Sequence, residues 1–367
     1  MHTLIKFSYI PQNYIINGNR QQNISFCSDD KCSFNSIQKI QQNFLKILQS
    51  EYKFQNALIN VEFLDKQQSV FSAAGSNINQ DTIFAAGSIT KTYTAALILK
   101  LQEMKLLDIN DKITKHLPLN IAKKIPNAEY ITIKQLLNHS SGLGNLNGGK
   151  KLTQIKDYDE LYDFINTKDL TKQGKFNYSN LGYIILGSII KEKTGEDLNS
   201  SFEHYLFEPL GLNKTYLGYP VNNQNLLFKR HEKDFYIKKL GTPDGGICTS
   251  VSDINKFFKE LFINKSYLSE KSIKQMIETD LKNGYGFGII NTSNNIWHNG
   301  QIKNYISSSD EQAVCIFNPK MNVIITAAAK KDLNIMSILK SLYPITAAKE
   351  NMHITELVFE KFKKYLN

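Results

Sequence analysis

Ser88 and Lys91 stand three residues apart in "GSITKTYTAALILK", where a strongly helical pattern begins. A serine hydroxyl is a weak nucleophile that needs an adjacent base. A lysine at i+3 falls on the same helical face and can exchange a proton with it once the ammonium is desolvated. The spacing alone is uninformative, because Ser-x-x-Lys occurs six times, beginning at Ser28, Ser36, Ser50, Ser88, Ser188 and Ser337. Ser188 and Ser337 fall inside predicted helices, where neighbouring turns surround the hydroxyl. Ser28 and Ser50 lie in polar or transitional sequence, and Ser36 reads as a helix N-cap with a surface lysine. At Ser88, Gly87 permits a tight backbone approach, a helix N-terminus favours a developing alkoxide, and Lys91 sits among apolar neighbours.

Two further groups complete a candidate site. In "KFNYSNLGYIILG", Tyr178 beside a lysine ammonium can serve as general acid or base, and Asn180 can hold both the lysine and a substrate carbonyl. A third element should lie on a strand facing the nucleophile. Lys193-Thr194-Gly195 does not qualify, because it ends a helix, where lysine suits the dipole and glycine caps the C-terminus. His298-Asn299-Gly300, in "NNIWHNGQIKNY", has the strand context, and Gly300 would let a substrate approach the backbone.

Those residues need a scaffold of strands and helices. "NALINVEFLDKQQSVFSAAG" predicts a hairpin turning at "DKQQ". Helical segments follow, including "TIKQLLNHSSGLGN", "DYDELYDFINTK", "LGYIILGSIIKEKTG", "NSSFEHYLFEPLGL" and "TSVSDINKFFKELF", where Ser250 and Asp253 have capping-box spacing. Strands return at "YGFGIIN", "NIWHNG", "YISSSD", "EQAVCIFNP" and "NVIITAAAK", and a helix is expected from about Leu333. The organisation expected is a polar arm over residues 1–34 and a domain over 35–345, with a closing helix over 346–367 packed on the sheet. The sheet part would comprise 35–86 plus 285–367, and the helical part 87–284, inserted between its strands.

The composition narrows the function classes. The 367 residues are 41% hydrophobic, enough for a sizeable core, and no run is long or apolar enough to span a membrane. The net charge of +10 comes from scattered lysines without a basic block or a nucleic-acid motif, so no nucleic-acid partner is expected. An anionic envelope surface is the polyanion kept in view. The seven histidines lack metal-ligand spacing, so neither a metal nor another cofactor is expected. Cys27 and Cys32 could close a small disulfide loop if the protein is exported. The N-terminus shows no signal-peptide core, so the chain is either cytoplasmic or given without its export signal. No Gly-x-Ser-x-Gly elbow is present. His139 beside Ser140 and Ser141 reads as a structural turn, since adjacent residues do not form a triad.

With Ser88-Ile89-Thr90-Lys91, Tyr178-Ser179-Asn180 and His298-Asn299-Gly300 in this order, the chain resembles the serine β-lactamase and penicillin-binding-protein superfamily. It looks most like class C β-lactamases, D-alanyl-D-alanine carboxypeptidases and related esterases. "LLNHSSGLG", "FEPLGLNKTYLG" and "DGGICTSVSDINKF" share the likeness, which runs from about residue 36 to 345. It implies an α+β, β-lactamase/transpeptidase-like fold: an antiparallel sheet flanked by helices, with an inserted helical domain. It also implies a covalent acyl-enzyme formed at Ser88 on a small-molecule or peptide substrate. Lys91 and Tyr178 would share the proton work, Asn180 would orient lysine and substrate, and the backbone N–H groups of Ser88 and Gln301 would form the oxyanion hole.

The nearest text to a class A deacylation motif, Glu196-Asp197-Leu198-Asn199, is one residue short and reads as a helix start. The third motif begins with histidine where most β-lactamases carry lysine, a pattern similar to some carboxypeptidases and esterases. If His298 anchors a substrate carboxylate, turnover of acidic substrates should improve below about pH 6.5. The resulting expectation is a D-Ala-D-Ala-type peptidase or esterase, with a class C-like β-lactamase or a silent penicillin-sensor-like module as alternatives. The likeness favours the periplasm or secretion.

Overall fold

The computed structural model describes residues 42, 56–147, 155, 157–220, 225–227, 241–279, 284–292, 295–302, 311–320 and 322–330. The polar arm, the Cys27–Cys32 pair, the segments beyond Leu333 and the strand at "YISSSD" lie outside these residues. So does the helix expected from Ser36, apart from the helical Gln42.

Short β-branched and aromatic runs at the two ends of the described chain build one antiparallel sheet. β1 (Ala57–Phe63) and β2 (Gln68–Ala74) form the expected hairpin, joined through Leu64 to Gln67. Two short strands follow in the middle of the chain and one later: β3 (Phe84–Ala85), β4 (Tyr216–Leu217) and β5 (Ile247–Thr249). β6 (Ile290–Thr292), β7 (Asn295–Ile302), β8 (Glu311–Asn318) and β9 (Val323–Lys330) close the described chain. The large sheet has the order β2-β1-β9-β8-β7-β6 and a smaller one the order β3-β5-β4. β1 pairs with β9 from Ala57 opposite Ala329 to Phe63 opposite Val323, so the first strand lies beside the last described one. The fold is therefore the α+β, antiparallel-sheet architecture that the sequence predicts.

Helices fill the middle of the chain. They are α1 (Thr90–Glu103), α2 (Leu119–Ala122), α3 (Ile133–Leu137), α4 (Asn180–Thr194), α5 (Leu198–Phe202), α6 (Glu208–Leu210), α7 (Val251–Phe262) and α8 (Glu270–Ile277). α1 and α4 are apolar around most of their circumference, and a helix of that kind has to be buried. Accordingly Tyr93, Leu97, Ile98, Leu181, Tyr183 and Ile185 are all 0% exposed. α7 packs on the large sheet, where Phe262 stacks on Phe317 at 6.3 Å and Thr326 donates to Asn255 Oδ1 at 2.7 Å.

The caps follow the sequence signals. Ser250 accepts from Asp253 N at 3.2 Å, Asp197 from Ser200 N at 3.1 Å, and Gly195 ends α4 at φ 71°. Two expectations change. "DYDELYDF" is a 3-10 segment (Tyr158–Phe164) rather than an α-helix, and a single π-helical segment (Glu203–Phe207) joins α5 to α6.

Candidate active site

Ser88 does not cap α1. It lies in a 3-10 turn (Gly87–Ile89) immediately before that helix, whose N-cap position is Ile89 with no side-chain bond. The turn is held from both sides: Ala86 N donates to Ile247 O at 2.9 Å, and Ile247 N donates to Thr90 Oγ1 at 3.0 Å. It also rests directly on β7, which only glycine permits. Gly87 has φ +55°, and a Cβ there would lie 2.8 Å from Gln301 N; a Cβ on Gly300 would lie 1.8 Å from Ala86 O. The half-buried Ser88 and the backbone of Gln301 are thereby neighbours, while the Gln301 side chain points to solvent.

Lys91 is 0% exposed. An ammonium in such a place must have its donors satisfied, and it has three N–H groups. Nζ donates to Ser88 Oγ at 3.2 Å, Asn180 Oδ1 at 2.8 Å and the Asp244 carbonyl at 2.6 Å. It also lies 4.9 Å from the Tyr178 ring centroid and 5.5 Å from that of Tyr183.

Asn180 is delivered by the start of α4. Ser179 caps that helix, accepting from Gly182 N at 3.1 Å and donating to Gly144 O at 2.6 Å. Asn145 clamps the same segment, accepting from Asn180 N at 2.7 Å and donating to Tyr178 O at 3.3 Å. Tyr178 is half-buried, and no hydrogen bond joins its hydroxyl to another described residue.

Beneath Tyr178 lies His139, 1% exposed with φ +59°, its ring centroid 4.2 Å from that of Tyr178. Its Nδ1 accepts from Ser179 N at 3.1 Å, which places the imidazole proton on Nε2. Burial first, then the Lys91 charge and then His298, hold its pKa well below the usual value.

His298 lies on β7 and is 1% exposed. Its Nδ1 sits 2.6 Å from the Asn299 carbonyl, which can only accept, so Nδ1 carries the proton. Its Nε2 is then the acceptor for the Tyr285 hydroxyl at 3.0 Å. Burial, reinforced by the Lys91 charge and opposed by the Asn299 bond, pushes the His298 pKa down to about 3. The imidazole is therefore neutral well below pH 6.5, which removes the basis for the expected gain with acidic substrates at that pH.

The structure thus gathers Ser88, Lys91, Tyr178, Asn180, His298, Gly300 and Gln301 from a turn, two helix starts and a strand. Lys193-Thr194-Gly195 stays at the far end of α4. Ser188 is buried within α4 with its hydroxyl 2.7 Å from that of Tyr162. Tyr285, Asn145 and the Asp244 carbonyl were not foreseen as parts of the site. Asn145 ends "LLNHSSGLGN", the one available signal, but that text carries no chemistry until it folds over α4. Among the described residues no cluster of three or more His, Cys, Asp or Glu side chains could hold a metal ion, and no helix is long and apolar enough to cross a membrane.

Comparison with known proteins places this geometry in context. The sequence model of the family described as "Beta-lactamase" matches residues 60–336. The chain is 29% identical over 269 residues to a putative penicillin-binding protein, PbpX, of Bacillus subtilis (strain 168), covering 66% of this chain and 64% of that protein. It superposes on the octameric penicillin-binding protein homologue of Pyrococcus abyssi with a TM-score of 0.64 at 22% identity, over 83% of this chain and 76% of that one. A D-stereospecific amidohydrolase from Streptomyces sp. gives a TM-score of 0.65 at 19% identity, over 84% of this chain and 99% of that one. At these identities the solved structures show a common fold alone. The chain spans between 38% and 64% of the length of the first curated relatives it matches.

Proposed function

Since the chain belongs to the Beta-lactamase family, within the serine β-lactamase and penicillin-binding-protein superfamily, we propose that it is a serine hydrolase working through an acyl-enzyme at Ser88 on an amide or ester bond. The observation that carries this reading is the buried Lys91 Nζ bridging Ser88 Oγ and Asn180 Oδ1.

In the proposed cycle the Lys91–Tyr178 pair takes the Ser88 proton as Oγ bonds to the substrate carbonyl carbon. The oxyanion takes hydrogen bonds from the Ser88 and Gln301 backbone N–H groups, which commonly supply a few kcal/mol of transition-state stabilisation. Collapse breaks the C–N or C–O bond. Tyr178 gives its proton to the leaving group and recovers one from Lys91. Water then adds to the Ser88 ester, losing its proton through the same groups, and releases the acid with Ser88 restored. Asn180 holds Lys91 in line, and Asn145 holds Asn180. A D-Ala-D-Ala-type peptidase or an esterase is the finer reading, supported by the histidine in the third motif and by a fold shared with an amidohydrolase.

A fluorophosphonate or a fluorescent penicillin should add one acyl-type adduct to Ser88, seen by intact mass and absent in Ser88→Ala. Folded protein that takes up neither probe would exclude the hydrolase and leave a silent binding module. Nitrocefin, D-Ala-D-Ala peptides and short p-nitrophenyl esters then sort the substrate classes.

A further inference from the structure

The side chain that an incoming carboxylate would meet at the third motif is already committed within the protein. A neutral imidazole offers one donor and one acceptor. His298 spends the donor on the Asn299 carbonyl at 2.6 Å and the acceptor on the Tyr285 hydroxyl at 3.0 Å, at 1% exposure. Lys91 is committed as fully, with its three donors on Ser88, Asn180 and Asp244. What β7 turns outward is Asn299 and Gln301, both exposed and both uncharged carboxamides. The chain's two arginines, Arg20 and Arg230, lie outside the described residues. Among the described residues a carboxylate brought against this strand meets no uncommitted charged donor to offset its lost hydration, whereas an ester or a carboxamide loses far less. Specificity is such a difference between two partners.

Resting on the hydrolase reading above, we propose that this site selects substrates that present an uncharged ester or carboxamide to β7 over the same substrates ending there in a free carboxylate, which of the two finer readings favours the esterase over the D-Ala-D-Ala-type peptidase. His298 is then a specificity-determining residue through its internal bonds.

Matched pairs on the wild-type protein test this: N-acetyl-D-Ala-D-Ala against its C-terminal carboxamide, and 4-acetoxybenzoate against its methyl ester, each rate divided by its uncatalysed rate. At about 1 M salt, where screening shortens to about 3 Å, the net charge no longer favours anions at long range. The neutral member of each reacting pair should lead in kcat/KM by about tenfold or more. Equal or faster turnover of the carboxylate members overturns the proposal. It does so equally if Arg230→Ala then abolishes that turnover, since the anchor would lie in the segment carrying Arg230. His298→Lys, which places a cation there, should narrow the ratio; an unchanged ratio in folded, labelled variant overturns the role of His298. Fluorophosphonate labelling of Ser88 in the same preparations separates the two failures. Without a label or turnover, the hydrolase reading falls and carries this proposal with it.

Discussion

Lys91 shows why a residue-level pattern can be both weak and sufficient. Its spacing from Ser88 is shared by five other pairs, and of the two pairs among the described residues, Ser88–Lys91 and Ser188–Lys191, only the first buries its lysine completely. The helix signal around it was local and therefore legible. The partners that hold it, Asp244 and Asn180, come from distant segments, and only Asn180 stood in a pattern that chemistry could single out. Tyr285 was invisible for the same reason: nothing in "YGFG" reports that a hydroxyl there will donate to His298. That bond carries a pH prediction. His298 is held at about 3 by burial and the Lys91 charge, so it stays neutral as pH is lowered through the ordinary histidine range. With a neutral ester, kcat/KM should show no His298 inflection near about pH 6.5. The check is the profile of wild type against His298→Asn; an inflection there that vanishes in the variant would mean the imidazole titrates in the open site.

At the scale of elements, the contact that positions the nucleophile lies between two backbones. The Ser88 turn and β7 approach until a Cβ on Gly300 would overlap the Ala86 carbonyl. Gly300→Ala must push turn and strand apart, separating the Ser88 and Gln301 amides that the oxyanion would need. Loss of one such donor costs on the order of 10²–10³ in kcat, so turnover should fall at least that far, with a lower melting temperature. Gly245→Ala is the control for stability, because a Cβ there meets nothing closer than 3.9 Å; a melting temperature lowered as much by Gly245→Ala as by Gly300→Ala would contradict the account. The elements were legible unevenly. Long strands with clear patterns, such as "EQAVCIFN" and "VIITAAAK", stand where the sequence puts them. The small sheet was missed because strands of two or three residues are too short to show a period, and their pairing is decided by tertiary packing.

For the whole molecule, the same buried imidazoles make stability depend on acid. His298 and His139 have lowered pKa values in the folded protein and ordinary ones when unfolded. Below about pH 6.5 the unfolded chain therefore binds more protons than the folded one, and stability falls as pH falls toward the folded value near 3. His298 contributes more than about 1 kcal/mol per pH unit across that window, and His139 acts in the same direction. Melting temperature should drop steadily from about pH 7 to about pH 4.5, and His298→Asn should make the slope shallower. A flat profile would show that burial of these rings does not penalise their charged form. The overall architecture was legible because strand-like text at both ends and helical text between them admit few arrangements. The partner of each strand was not, since register depends on contacts between remote segments. The pairing of β1 with β9 has its own consequence in time. During synthesis Ala57 emerges long before Ala329, the residue it must face. Until then β1 has only β2 beside it, and its other edge offers unpaired backbone to any passing strand. Completion of the sheet must therefore wait until nearly all of the described chain has left the ribosome, which makes the nascent protein a client for whatever shields an open edge.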